Sequence, residues 1–425
     1  MLSSTSLTKP QTLDSCKIQL TSPMLHIGSE VSKLSPFEYV ATPKFVYQPN
    51  AEALARSLYK QGRLPDYLYA IAQQETILPI LEQAFGENWW QAEDPNGQPI
   101  FPKVSRSLRW TDQPIVDLRP MIHNGLGQLY IPGSSIKGAI RTAIAYHLLK
   151  HGDRYGVPKE SRVSEIEHQL RQKMGSLRQK AKFADDSLFM DQLFTDFDLI
   201  DPDQPFNPQN YRKGPNTDFM RAVQVTDTEP LLEEKVERRG RTFYGNLPVV
   251  AEVIVSSRFP DYRAKYRAPI YAEMVRNVRT HFTISLDTEM LSWFHHRQGM
   301  KIPFQSVEDI LNICKEFAQD QWDGEHDYWL DVQNNPNAAG KNLNFSEIRT
   351  LYEPEQCPHS LRIGWASGMP GTTVNLLFKD ELREEIRDTC GIKAPGFEAP
   401  KSRRTVVASD GEIKYVPGWV KFKVL

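Results

Sequence analysis

The sequence predicts an α+β fold whose core elements run β-α-β-β-α-β, stretched by long helical and loop insertions. Three features carry that expectation. A strand-like alternation around Cys16 opens the core, a glycine turn at residues 133–138 leads into a run of helix formers, and a strand near Ile363 runs into a second glycine-rich loop. Between the two glycine loops lie β-branched stretches near Val250 and Thr283 and a helical stripe near Ile310. This order belongs to the ferredoxin-like and RNA-recognition-motif folds.

Taken in turn, Ser15-Cys16-Lys17-Ile18-Gln19-Leu20-Thr21-Ser22 alternates as a strand, Pro23 reads as its terminator, and residues 24–30 form a turn carrying His26 and Gly28. Residues 50–92 are a helical insertion, with Ala53, Leu54, Leu58, Ile77, Leu78, Leu81 and Phe85 at helix spacing and breaks near Pro65 and Pro79. Residues 101–130 are strand and loop, containing Lys103, Arg106, Arg109 and Arg119. The first core helix follows Gly138, where apolar residues recur three and four apart. Residues 158–217 are a second insertion, whose basic run of Arg171, Lys173, Arg178, Lys180 and Lys182 reads as a solvated helix face and whose end, 202–217, reads as an exposed loop. Strands are expected at 219–227, 248–256 and 279–287. A helix is expected at 306–319 on Val307, Ile310, Leu311, Ile313, Cys314 and Phe317, then a polar, Asn-rich loop to 346. Residues 360–374 run from strand into loop, and 417–424 alternate as a closing strand. Residues 13–425 thus read as one domain behind a flexible tail, 1–12.

Composition narrows the function. The 425 residues are 40% apolar and 24% charged, a globular balance. With no apolar run of membrane-spanning length and a polar N-terminus, a cytoplasmic location without membrane contact is expected. Cys16, Cys314, Cys357 and Cys390 lack C-x-x-C spacing, so free thiols are expected rather than a zinc site. A net charge of -2 means that any polyanion must bind a local patch.

The helix start after Gly133 attracts an anion, because free backbone amides point out of it beside Lys137. Nucleotide does not fit: Gly133-x-x-x-x-Gly138 has the spacing of a phosphate loop, but Ala139 and Ile140 stand where Lys and Ser/Thr are required. Gly364-x-x-x-Gly368-x-x-Gly371 is no dinucleotide fingerprint either. Neither H-E-x-x-H nor G-x-S-x-G occurs, His295-His296 reads as surface or packing, and no cofactor or metal is expected. His26 offers one catalytic alternative, as general acid or base in a metal-free RNA cleavage. The preferred reading is a nucleic-acid strand passing two glycine-rich loops. His26, Gly28, Gly133, Ser134, Ser135, Lys137, Gly138 and Arg141 line one side, and Gly364, Trp365, Ser367, Gly368, Gly371 and Thr372 the other. Glycines admit the phosphodiester, hydroxyls and cations hold it, and Trp365 stacks a base.

Ile131-Pro132-Gly133-Ser134-Ser135-Ile136-Lys137-Gly138-Ala139-Ile140-Arg141 resembles the signature of the RAMP superfamily of CRISPR effector proteins. The segments at 20–29, 220–227 and 363–368, with Arg403-Arg404 and Gly418-Trp419-Val420-Lys421, are most similar to the fifth-named RAMP subunit of the type III-A (Csm) complex. The resemblance implies a crRNA-binding subunit that holds the 3′ part of the crRNA. It further implies neighbouring RAMP subunits as partners, target RNA nearby, host nucleases that trim the crRNA end, and no catalytic residue in this chain. Asp227 is read as structural.

Overall fold

The first core strand, Leu13–Leu25 (β1), buries Ile18 and Leu20 and exposes Lys17, the period-two pattern of a strand with two different faces. In the computed structural model, which describes residues 12–180, 186–200, 214–238, 241–257, 263–264, 266, 269–389, 400 and 402–425, this strand does not stop at Pro23. Pro23 lies exposed within β1, and pairing resumes at Met24.

The remaining core elements are the helix Gly133–Lys150 (α1), strands Leu247–Ser257 (β2) and Ile270–Asp287 (β3), and the helix Val307–Asp331 (α2). Three further strands follow, Leu361–Arg362 (β4), Ser402–Val407 (β5) and Trp419–Val424 (β6). All pairings along β6-β1-β3-β2 are antiparallel, which gives the ferredoxin-like strand order. The fourth core place belongs to β6, the closing strand; β4, near Ile363, is a two-residue strand on its outer edge.

α2 extends 12 residues beyond the expected end at 319, into sequence that composition alone reads as loop. Its buried stripe explains this: Gln321, Trp322, Glu325, Tyr328 and Trp329 continue the spacing of Ile310, Cys314 and Phe317. Ser306 caps its start, accepting from the Asp309 amide at 3.1 Å while Asp309 accepts from the Ser306 amide at 3.0 Å. Glu325 is spent on two buried guanidiniums, Arg403 at 2.5 Å and Arg362 at 3.5 Å, and so fastens α2 to β5 and β4. Beyond α2, Asn335–Ala338 and Lys341–Leu343 pair as a hairpin within the expected loop.

Residues 50–92 contain the helices Ala51–Lys60, Leu64–Gln73 and Leu78–Phe85 around buried Leu54, Leu58, Ile77, Leu81 and Trp89. Pro65 and Pro79 sit in the first turns of the latter two, where a missing amide costs nothing; they start helices rather than break one. In the second insertion Val163–Lys180 is helical, and Arg171 reaches Glu385 at 3.4 Å. Lys182 and residues 201–213 lie outside the described residues, as do the tail 1–11 and Cys390. Cys16, Cys314 and Cys357 are free. No helix among the described residues is long and apolar enough to cross a membrane.

The sheet carries an apolar layer on each face. On the helix side, Ile18, Leu20, Leu25, Val275, Val278 and Phe282 pack with Ile136, Ile140, Ile310 and Phe317. On the other, Met24, Val249, Ala251, Ala272, Met274 and Val406 form a separate layer edged by Trp110, Trp365 and Tyr415. Val275 and Val278 are three apart yet share a side, so the alternation of β3 reverses between them. Asn277 makes the reversal, at φ 52°, with its carbonyl accepting from the Asn246 amide at 3.1 Å. Asparagine tolerates this left-handed geometry and β-branched residues do not. Asn277→Val is therefore expected to cost about 1–2 kcal/mol in urea unfolding, whereas Asn277→Gly stays close to wild type.

Candidate nucleic-acid interface

Pro132 precedes α1 without a side-chain cap, so the first amides of the helix need other acceptors. Gly133 N–H donates to Asp227 Oδ1 at 2.7 Å, and Thr228 Oγ1 accepts from Ile131 N–H at 3.0 Å. A protein carboxylate thus already occupies part of the positive helix end, which gives Asp227 a structural role. Gly133 is forced: a Cβ there would lie 2.3 Å from the Val225 carbonyl oxygen. Gly138 is not, because it is exposed and no atom lies within 4 Å of where a Cβ would stand. Around it are exposed Ser134 and partly buried Ser135, Lys137 and Arg141.

The two cations of this strip differ. Arg141 Nη1 donates to Asp218 Oδ2 at 2.5 Å, and its guanidinium lies 3.8 Å from the Phe194 ring centroid. Asp218 in turn accepts from the Met220 amide at 2.9 Å. The expected RNA contact of Arg141 meets this obstacle: its charge is neutralised and its flat face covered within the fold. Lys137 has no ion-pair partner among the described residues. Burial lowers its pKa, Asp218 raises it and Arg141 lowers it again.

The second glycine loop wraps the end of β1. Gly364 has φ 85° and packs its Cα against the His26 carbonyl, to which the Trp365 amide donates at 3.1 Å. Ser367, expected to face RNA, is buried and donates its hydroxyl to the Gly364 carbonyl at 2.5 Å. Gly371, also expected to face RNA, is buried, and a Cβ there would meet Ser367 Cβ at 2.7 Å. Both therefore shape the loop from within. Gly368 (φ 64°) starts a five-residue helix, Gly368–Thr372, that the sequence did not suggest; it packs on α1 and ends at exposed Thr372.

His26 is 2% exposed, and its Nδ1–H donates to the Glu273 carbonyl at 2.6 Å. Burial holds its pKa below the ordinary imidazole range, so the ring is neutral and committed to the backbone. That position removes the footing of the general acid–base alternative. Gly28 is exposed and bridges Met121.

Trp365 stands apart from α1, with the apolar layer on the opposite face of the sheet. The His26 ring meets it edge-on at 5.3 Å, Arg404 lies 4.3 Å and Arg119 5.1 Å from its centroid. Arg276, opposite Met24 in the register, lies 5.5 Å from Trp110 and 5.7 Å from Tyr415. Among the described residues none of these three arginines has a carboxylate partner, and each has a buried Nε without an acceptor. Further along the same face, exposed Arg279 and Lys421 stand on either side of Thr21. Guanidiniums without counter-charge, gathered around aromatic rings, are suited to phosphates and unstacked bases. The sequence offered little sign of the group, since its members come from four distant segments; only Arg119 and Arg404 stood in basic stretches.

Comparisons with known proteins place the chain among relatives. The RAMP superfamily model matches residues 17–331. "CRISPR system Cms protein Csm5" of Enterococcus italicus is 26% identical over 165 residues, 32% of this chain and 46% of that protein, so the match spans about half of that relative. A chain in the cryo-EM structure of a type III-A Csm–crRNA–target RNA ternary complex aligns with TM-score 0.59 and 21% identity, over 96% of this chain and 100% of that one. The crystal structure of T. onnurineus Csm5 aligns with TM-score 0.56 and 19% identity over the same shares. At these identities the two structures establish the fold.

The glycines separate by experiment. Gly133→Ala is expected to destabilise the chain, because the Val225–Thr226 backbone must move. Gly138→Ala is expected to stabilise it by about 0.5–1 kcal/mol, the cost of glycine within a helix. Thermal unfolding of the two variants measures both.

Proposed function

The chain belongs to the RAMP superfamily, and on that footing we propose that it is a crRNA-binding subunit of a type III CRISPR ribonucleoprotein, most like Csm5. It holds the 3′ part of the crRNA, sits beside other RAMP subunits in the cytoplasm with target RNA alongside, and supports crRNA maturation by nucleases supplied from outside the chain. It holds RNA rather than cutting it.

The observation that carries this reading is the distribution of uncompensated cations. Among the described residues Lys137, beside Gly138, forms no ion pair, and Arg119, Arg276 and Arg404 surround aromatic rings without a carboxylate partner. Both are backbone-directed features: an exposed glycine beside a lysine on the helix surface, and guanidiniums that take phosphate from any sequence. The match to a protein named Csm5 and the likeness to a chain from a crRNA-containing assembly support the same reading. Ser134, Ser135 and Thr372 supply hydroxyls near the path, and Trp365 provides a partly exposed ring.

Binding of labelled crRNA measured across salt tests the site. Each lost phosphate contact flattens the log–log slope by about 1. Lys137→Ala and Arg404→Ala are each expected to do so, while Arg141→Ala leaves the slope unchanged and lowers stability. An unaltered slope in both of the first two variants overturns the assignment.

A further inference from the structure

We propose that His147, His151 and Glu316 form a binding site for a zinc-class divalent cation that pins α1 to α2. The site lies roughly 14 Å along α1 from Gly138 at 1.5 Å per residue, and it does not rest on the RNA reading.

His147 lies in the last turn of α1, His151 is the residue that closes that helix, four positions on, and Glu316 stands on α2. His147 Nδ1 lies 2.5 Å from Glu316 Oε2 and His151 Nε2 lies 2.8 Å from Oε1. The donor atoms of all three lie within 4.8 Å of one another. Tetrahedral donors around zinc, at bonds of about 2.0–2.1 Å, stand about 3.3 Å apart. Small side-chain rotations therefore admit an ion between groups that already converge.

Three surrounding features favour a cation over a plain hydrogen-bonded cluster. His147 Nε2 is 2.9 Å from the Tyr155 hydroxyl, an outer partner that fixes the imidazole and leaves Nδ1, the nitrogen on Glu316, as the one to ligate. At the helix contact two carboxylates, Glu316 and Asp320, face a single ammonium, Lys150, at 3.1 and 2.5 Å. Lys150 keeps Asp320, which also accepts from the Tyr146 hydroxyl at 2.8 Å, and the negative charge left on Glu316 is the one a metal ion balances. Side-chain exposures of 33% for His151 and 27% for Glu316, against 10% for His147, leave a path from solvent and a place for water as fourth ligand. Two imidazoles and a carboxylate select zinc-class ions over magnesium or calcium, which take oxygen ligands. The pair has the four-residue spacing of H-E-x-x-H, but Leu148 stands where that motif has its glutamate.

The test uses the full chain, stripped with chelator, loaded with Zn2+, desalted and assayed for bound metal and Tm. One zinc ion per chain and a raised Tm are expected, since a ligand of the folded state alone stabilises it. His151→Gln and Glu316→Gln should each abolish retention, and Tyr155→Phe should weaken it about 10- to 100-fold. Co2+ in the wild-type chain should give the intense visible bands of tetrahedral coordination, a reading independent of how any variant folds. A wild-type chain that retains no zinc, variants that retain it as wild type does, or cobalt spectra lacking those bands would overturn the proposal.

Discussion

A single left-handed residue decides what each face of the sheet presents. β3 runs for 18 residues and is the strand on which β1 and β2 both depend. A regular strand of that length sends every second side chain to one face throughout. Asn277 reverses the alternation midway, so Val278, Phe282 and Ile284 on one side of it and Val275 on the other all meet the helix-side core. The same reversal sends Met274 and Arg276 to the opposite face, opposite Met24 in the case of Arg276, where the aromatic and guanidinium groups gather. The helix-side core and the basic face are therefore two results of one backbone conformation, held by the Asn246 amide on the Asn277 carbonyl and by Asn277 Nδ2 on the Tyr244 carbonyl.

Net charge alone does not show which cations of this chain are engaged within the fold. The net charge is -2, and Arg141, the last residue of the signature segment, is engaged by Asp218 and Phe194. Glu325 similarly absorbs Arg403 and Arg362 in the interior, where a pair of charges serves architecture. Arg403 and Arg404 each lie against an aromatic ring and donate to a carbonyl, and what distinguishes them among the described residues is the carboxylate of Glu325, which of the two only Arg403 meets. Burial lowers the Arg404 pKa, and Arg119 beside it acts in the same direction, the mark of like charges held close without compensation. Under the proposed function a phosphate at Arg404 would relieve that repulsion, whereas one at Arg141 would have to displace Asp218.

The first three core strands and the two core helices were legible because their signals are local: the alternation of Ile18 and Leu20, the β-branched content of β2 and the stripe of Ile310, Cys314 and Phe317 each need only a short window of sequence, whereas the fourth place, expected near Ile363, went to β6. Two kinds of feature were not. Polar residues doing buried work look like loop, so Gln321 and Glu325 hid the second half of α2 until their partners were known. Prolines read as breaks until the first turns around Pro65 and Pro79 show them as starts. The arginine group was illegible for a different reason: Arg119, Arg276 and Arg404 are brought to Trp110 and Trp365 by the sheet, and no window of sequence contains that meeting.

The signature segment itself is composite, and the space around each glycine shows how. Gly133 touches the Val225 carbonyl, Gly364 the His26 carbonyl and Gly371 the Ser367 side chain, so at all three a methyl group collides with the protein's own atoms and the need for glycine is met by folding alone. Gly138 meets nothing, and within a helix that freedom is unfavourable by about 0.5–1 kcal/mol relative to alanine. A residue that weakens its helix and packs against no neighbour makes sense where an external backbone comes close, and Lys137 beside it carries the charge such a backbone requires. The motif thus joins one glycine that seats α1 on the sheet to another that leaves the outer surface of α1 bare.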